Sequence, residues 1–288
     1  MIEYEGTLYR PPSEADSLIL QATIGCSYNE CSFCEMYREK KFRVRPIAEL
    51  HEEIASVQGA APWVRKVFLA DGDALIAKAS FLGELCDVLH GTFPKLRRIS
   101  CYASPQALQV RSVAEMADLR ERGLTQYYVG IESGDDQTLE ELIKGVNADE
   151  WAECCVKATE AGVKLSAMIL LGAAGPSRER AHRHALASAA LINRIQPRFL
   201  STLVMSPRPG TPLWADWRAG RWQESTPDQL RDEMATFLSA LELDATIFRS
   251  NHVSNQDVLA GNFPRDKQAL LRALGSRHAD LLRSLRWS

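Results

Sequence analysis

Cys26-Ser27-Tyr28-Asn29-Glu30-Cys31-Ser32-Phe33-Cys34 places three thiols within nine residues of one short loop. Thiolates bind soft metals, and three on one loop hold either a zinc ion that finds a fourth ligand elsewhere or three irons of a four-iron cluster. In the second case one iron is left a ligand short, and that vacancy invites chemistry. The chain has seven cysteines, an odd number, which argues against a disulfide framework and for metal ligation in a reducing compartment. Zinc sets are usually completed by a second CxxC or a spaced His pair. Here His51 falls on a helical stretch, and His182 and His184 are spaced by only two.

Outward from this loop, apolar β-branched runs alternate with longer amphipathic stretches, the mark of strand–helix units around a parallel sheet. Strands are expected at residues 17–23, 66–71, 98–103, 126–132, 164–171 and 198–204. Helices are expected between them at 47–58, 79–90, 111–122, 135–143, 149–161 and 177–194. The fold class is therefore α/β, a partial (β/α)6 TIM-like barrel over residues 1–215 with an N-terminal extension over 1–15. The two further strands of a closed eightfold barrel are not apparent. Past residue 215 the pattern changes to a helical C-terminal extension over 216–288. Its helices are expected at 227–243 and 266–285, on either side of a polar segment, 248–264. Trp214, Trp217 and Trp222 read as anchors of this extension.

In parallel barrels the chemistry sits at the C-terminal ends of strands. The unusual residues fall there: the three cysteines after the first strand, Asp71-Gly72-Asp73 after the second, Cys101, Tyr102 and Ser104 at the third, Glu132-Ser133 at the fourth, Gly172 and Gly175 after the fifth. Scattered decoration would not collect at one end.

These stretches together resemble the radical S-adenosylmethionine superfamily, whose first-strand loop carries three cysteines with an aromatic residue, here Phe33, before the last. The spacing Cx4CxxC is one residue longer than the usual Cx3CxxC. Ala70-Asp71-Gly72-Asp73 is similar to the family's glycine- and acid-containing stretch, with Asp73 at the position of the usual acid. Val129-Gly130-Ile131-Glu132-Ser133, Lys144-Gly145 and Ser206-Pro207-Arg208-Pro209-Gly210-Thr211-Pro212 resemble segments of the subgroup containing oxygen-independent coproporphyrinogen oxidases and methylthiotransferases.

The resemblance implies a [4Fe–4S] cluster on Cys26, Cys31 and Cys34, with S-adenosylmethionine chelating the open iron. It implies cofactor contacts from Phe33, Asp71, Asp73, Tyr102, Glu132, Ser133 and Gly172. The reaction it implies is reductive cleavage of S-adenosylmethionine to a 5′-deoxyadenosyl radical, which takes hydrogen from a substrate. A low-potential electron donor of flavodoxin or ferredoxin type is implied as well. The same cluster also serves methyl or aminocarboxypropyl transfer, and a zinc-stabilised, non-catalytic α/β binding protein is the rival from another class.

A formal net charge of −3 leaves no basic excess to hold a phosphate backbone, so nucleic acid is not an expected partner. With no auxiliary cysteine set and no RNA-binding module apparent, a small-molecule substrate is left by subtraction. Residues 1–12 lack a signal-peptide core, and no window approaches the ~18 apolar residues of a membrane span, so a cytoplasmic protein is expected. The basic run Arg38, Lys40, Lys41, Arg43, Arg45 is either a solvated face or a docking patch for an acidic electron carrier. Asn251, His252 and Asn255 belong either to a locally hydrogen-bonded loop or to the substrate site. Asp71 and Asp73 also suit helix capping, Glu132 also suits an ion pair with a lysine, and Tyr102 also suits the core. Cys101 points into the barrel mouth, as a substrate contact, or out toward a helix. Cys86, Cys154 and Cys155 read as small buried hydrophobes.

Overall fold

The structure is a computed structural model and describes residues 2–275. Among them, residues 2–30, 34–130 and 154–165 make one compact unit, and residues 31–33, 131–153 and 166–275 make another.

The first unit begins with β1 (Leu18–Gln21), whose four residues carry three buried side chains. The strand expected over 17–23 breaks there. Thr23–Ile24 instead forms β2, paired antiparallel with β3 (Arg43–Val44), so a two-strand clasp brackets the cysteine stretch. α1 (Ile47–Gln58) follows Pro46 and buries Leu50 and Ile54, an i,i+4 stripe. β4 (Lys66–Ala70), α2 (Ala79–Thr92) and β5 (Arg98–Tyr102) continue the series. α3 (Pro105–Val110), capped by Ser104, was not expected, and the helix expected over 111–122 is α4 (Val113–Glu121). Ser112 and Glu115 form a reciprocal capping box that sets the start of α4 at Val113. β6 (Leu124–Glu132) completes this part. β1, β4, β5 and β6 pair in that order, all parallel. Their near-continuous apolar runs are buried on both faces, as a covered parallel sheet requires.

The N-terminal extension runs along this sheet. Tyr4 donates to the Ile19 carbonyl at 3.0 Å, and Glu5 and Gln21 exchange two hydrogen bonds. Glu14 is fully buried and accepts from Arg98 at 2.7 Å, Ser100 at 3.0 Å, the Tyr128 hydroxyl and Ser17. A buried carboxylate needs this number of donors to offset its desolvation.

The second unit holds α5 (Asp136–Glu141), then α6 (Ala148–Glu160), which like β6 and β7 (Lys164–Leu171) has its residues divided between the units. α7 (Arg178–Ile195), β8 (Phe199–Val204), α8 (Pro212–Arg218) and α9 (Pro227–Ala240) follow. β7 pairs parallel with β8 over Ser166–Leu171. α7 packs against α9, and its buried Ala181, Ala185 and Ala189 let the helices come close. The six expected strands are all present, and the polar segment supplies two more. β9 (Ile247–Arg249) pairs parallel with β8, and β10 (Ala260–Asn262) pairs antiparallel with β9. Three-residue strands are too short for a periodicity to register. Phe248, fully buried against the Phe263 ring at 6.2 Å, is what holds them in place. Of the helix expected over 266–285, residues 267–275 are helical and the remainder lies outside the described residues.

Candidate cofactor site

In the first unit the cysteine stretch is pinned by two buried carboxylates. Asp71, at the end of β4, accepts from the Gly25 amide at 3.0 Å, from Gln21 at 3.1 Å and from Lys40 at 2.8 Å. Residues just before Cys26 and six after Cys34 are therefore tied to one anion. Asp73 accepts from the hydroxyl of Ser27, next to Cys26, and from the amide (3.0 Å) and hydroxyl (2.7 Å) of Ser104 at the end of β5. Burial pushes the Asp73 carboxyl above its usual range, while the Ser27 and Ser104 hydrogen bonds and the Arg111 charge pull it back. Neither acid caps a helix with its side chain.

Gly72 stands between them because nothing larger fits. A Cβ there would lie 2.6 Å from Tyr37 Cε2 and 2.9 Å from Cys26 Cβ. Within the Cx4C spacing, Asn29 takes a left-handed conformation (φ 49°) and donates to the Tyr37 carbonyl at 3.0 Å. Asparagine tolerates that backbone better than most residues.

Tyr102 packs edge-on against Phe68 and near Tyr128, and desolvation holds its phenol protonated well above the usual range. Cys101, one residue earlier, faces the other side of the strand; it is fully buried, and desolvation raises its thiol. Of its two expected orientations, this one turns away from the Tyr102 face. Cys86, Cys154 and Cys155 are buried as well.

In the second unit, Ser32 is held by the end of α5 and the start of α8. Its amide donates to the Leu142 carbonyl (2.9 Å), its hydroxyl to the Glu141 carbonyl (3.0 Å), and its carbonyl accepts from Leu213 (2.9 Å). Phe33 packs on the cluster Leu142, Leu170, Ala173, Met205 and Leu213, with Trp222 on the same cluster. Trp214 and Trp217 stack with each other at 4.8 Å. Lys144 lies 5.8 Å from the Phe33 ring centroid and 3.6 Å from Glu132 Oε1. Glu132 adopts φ 69°, a strained backbone for a residue with a side chain, costing about 1–3 kcal/mol. Its Oε2 is buried with no hydrogen-bond partner among the described residues, and desolvation pushes its carboxyl up against the opposing pull of Lys144. Ser133 turns its hydroxyl into the loop, accepting from the Asp135 amide at 2.9 Å.

Gly172, at the end of β7, does not leave its amide open: Glu233 of α9 accepts from it at 3.0 and 3.1 Å and also meets His184 Nδ1 at 3.0 Å. The polar segment docks at the end of β8. Ser254 Oγ accepts from the Val204 amide at 3.1 Å, and His252 Nδ1 accepts from the Ser254 amide at 3.2 Å, which leaves the ring proton on Nε2. Asn255 is buried and donates to the Thr202 carbonyl at 2.6 Å, whereas Asn251 is exposed. The segment is thus both locally bonded and fixed at a strand end.

The basic run is not one surface. Lys40 is buried on Asp71, Arg43 pairs with Glu5, and Arg45 pairs with Glu49 and Glu53; Lys41 is exposed. Sequence reasoning passed over Tyr37, Lys40 as a structural cation, and Glu233. A tyrosine three residues after Cys34 was the one signal available.

Among the described residues no three His, Cys, Asp or Glu side chains come together as ligands of one ion. A four-iron cluster does not ask for that, since each thiolate binds a separate iron. In the first unit, half-buried Cys26 and Cys34, a glycine whose Cβ would clash with Cys26, and the buried Tyr37 Oη without a hydrogen-bond partner among the described residues fit a bulky polar cofactor.

A strand–helix series with three cysteines after its first strand defines a metallocofactor enzyme of the α/β class. The chain belongs to the Radical SAM superfamily, whose family model matches residues 20–182. It is an enzyme of that superfamily, whose members use a [4Fe–4S] cluster and S-adenosylmethionine, and the non-catalytic zinc alternative falls with this membership. No curated protein matches the chain in sequence. Similar solved structures include HydG, a maturase of the [FeFe]-hydrogenase, at 15% identity and TM-score 0.52, covering 78% of this chain and 49% of that one. Methylornithine synthase (PylB) matches at 17% and 0.51, covering 91% and 81%. Coproporphyrinogen III oxidase (HemN) from Escherichia coli matches at 14% and 0.54, covering 77% and 52%. At these identities the likeness is one of fold, the partial TIM-like barrel with added helices. The chain spans about half the length of HydG and HemN. No helix among the described residues is long and apolar enough to cross a membrane.

Proposed function

We propose that Cys26, Cys31 and Cys34 hold three irons of a [4Fe–4S] cluster and that the chain takes hydrogen from a small-molecule substrate. The observation that carries this reading is the buried Asp71, which fastens Gly25 and Lys40 and so presets the loop that bears the thiols. When bound, the cluster supplies the electron that breaks a sulfonium–carbon bond of S-adenosylmethionine and so yields the hydrogen-abstracting 5′-deoxyadenosyl radical. This chain's own residues orient and exclude water. Phe33 and its apolar neighbours dry one side of the loop, and the unpartnered Glu132 Oε2 suits a hydroxyl or ammonium of the cofactor. Asp73 and Tyr102 border the thiols, and Ser133 and Gly172 shape the strand ends, Gly172 through backbone that Glu233 sets. His252 and Asn255 are the substrate-side candidates; Cys101 and Asn251 are the weaker ones.

The electron donor in this reading is an acidic flavodoxin- or ferredoxin-type carrier meeting Lys41 and Arg43, in the cytoplasm. Residues 1–215 serve as the barrel and 216–288 as its extension. Anaerobic reconstitution tests the reading: about four irons and four sulfides per chain are expected, and 5′-deoxyadenosine on adding S-adenosylmethionine and reductant. Release of S-adenosylhomocysteine or methylthioadenosine instead would establish methyl or aminocarboxypropyl transfer. Zinc uptake without iron would sink the reading.

A further inference from the structure

Tyr37 lies three residues after Cys34 and is 3% exposed, and its hydroxyl is buried with no hydrogen-bond partner among the described residues. A buried O–H without an acceptor carries its full desolvation penalty, so such groups need a reason to persist. The ring is not loose. Tyr9 meets it edge-on at 5.6 Å, the Lys40 ammonium sits 5.6 Å from its centroid, and its backbone carbonyl accepts from Asn29. Gly72 fixes its direction. A Cβ on Gly72 would fall 2.6 Å from Tyr37 Cε2, 2.8 Å from Cδ2 and 2.9 Å from Cys26 Cβ. Cδ2 and Cε2 form one edge of the ring, and that edge, which runs up to the carbon bearing the hydroxyl, borders Gly72 beside Cys26 Cβ.

We propose that the Tyr37 hydroxyl donates a hydrogen bond to sulfur on the Cys26 side of the cluster and thereby raises the cluster's reduction potential. This rests on the cysteine assignment above and goes beyond it. Cluster and thiolate sulfurs are electron-rich acceptors, and a donor aimed at them stabilises the more negative, reduced state. In this account Tyr37 touches the metal group but neither gives nor takes a proton or hydrogen atom.

Tyr37→Phe removes the hydroxyl and keeps the ring on Gly72. In reconstituted protein the variant is expected to hold the same iron and sulfide, while an EPR-monitored redox titration shows a midpoint shifted to more negative potential. Iron–sulfur stretching bands in resonance Raman are expected to move in D₂O for the unaltered chain and not for the variant. The affinity for S-adenosylmethionine is expected to stay the same. An unchanged midpoint overturns the proposal. So does weaker S-adenosylmethionine binding at an unchanged midpoint, which would assign the hydroxyl to that ligand. Tyr37→Leu, which also removes the ring, separates packing from hydrogen bonding: its cluster content is expected to fall, and a midpoint shift shared equally by a fully loaded Leu variant without any D₂O effect in the parent would count against the hydroxyl. If the unaltered chain assembles no four-iron cluster, the proposed function fails and this inference fails with it. A cluster whose potential ignores Tyr37→Phe removes this inference alone.

Discussion

Lys40 Nζ sits 2.8 Å from Asp71 Oδ2, with the lysine side chain 9% exposed and the carboxylate wholly buried. The same ammonium donates to the Thr7 carbonyl at 2.7 Å, so one cation joins the N-terminal extension, the loop after Cys34 and the end of β4. Removing one partner of a buried pair leaves an uncompensated charge. Lys40→Ala is therefore expected to cost about 3–5 kcal/mol in chemical denaturation. The double variant Lys40→Met, Asp71→Asn is expected to recover part of that loss. If Lys40→Ala unfolds like the parent, the clamp does not hold the loop.

Glu233 spans Gly172 and His184 from α9. Glu233→Ala leaves the glycine amide and the imidazole without their acceptor, and each buried orphan costs about 1–3 kcal/mol. Lower stability together with weaker S-adenosylmethionine binding is expected, measured by urea unfolding and calorimetry, and Glu233→Gln, which keeps one acceptor oxygen, is expected to restore most of both. Stability loss with unaltered binding would leave Glu233 a core residue only.

The strands were legible because parallel strands buried on both faces are written as apolar runs such as Lys66–Ala70 and Lys164–Leu171, bounded by glycine and charge. The cysteines were legible because ligand chemistry is local in sequence. Lys40 was not. In a run of five basic residues it looks like solvated surface, and only the placement of Asp71, thirty-one residues later, makes it a core cation. β9 was hidden for a related reason: Ile247–Arg249 becomes a strand through pairing with β8, not through its own pattern. The Glu132 reading as a lysine partner was legible from type and position, but its left-handed backbone and open Oε2 were not.

The electron-donor surface changes accordingly. Lys41→Glu is expected to slow reduction by a flavodoxin-type carrier, and more so at low salt, while leaving dithionite reduction unchanged. Lys40→Glu is expected to lower soluble yield instead, because it sets two carboxylates together in the interior. Stopped-flow reduction with both reductants separates the cases, and equal slowing with both would remove Lys41 from the docking surface.

Thiol labelling maps the cofactor loop. Cys26, Cys31 and Cys34 are half-buried, whereas Cys86, Cys101, Cys154 and Cys155 are buried. Burial pushes the Cys86 thiol up to about 12, so the nucleophilic thiolate is scarce in the folded chain. Alkylation of native apoprotein near pH ~8 is expected to mark only the loop cysteines by mass spectrometry, and cluster loading to protect them. The protonated Cys86 favours the folded state in full below the ordinary value of 9.0, and that contribution is lost as pH rises toward about 12. A Cys86→Val variant is expected to flatten this alkaline decline.

Gly72→Ala is the sharpest probe of the site's packing. The added methyl would meet the Tyr37 ring at 2.6 Å and Cys26 Cβ at 2.9 Å, distances at which something must move. Tyr37 has little room, with Tyr9 against its ring and Asn29 on its carbonyl, and Asp71 and Asp73 on either side of Gly72 hold Gly25 and Ser27. The displacement therefore falls on Cys26. Overpacking of this kind costs about 1–3 kcal/mol, which the fold survives, but a thiol moved off its iron does not bind. Soluble, folded protein with a several-fold loss of iron after reconstitution is the expected outcome, read by circular dichroism and iron analysis on the same sample. Full iron content in a folded Gly72→Ala chain would mean that Cys26 does not ligate the cluster from this position.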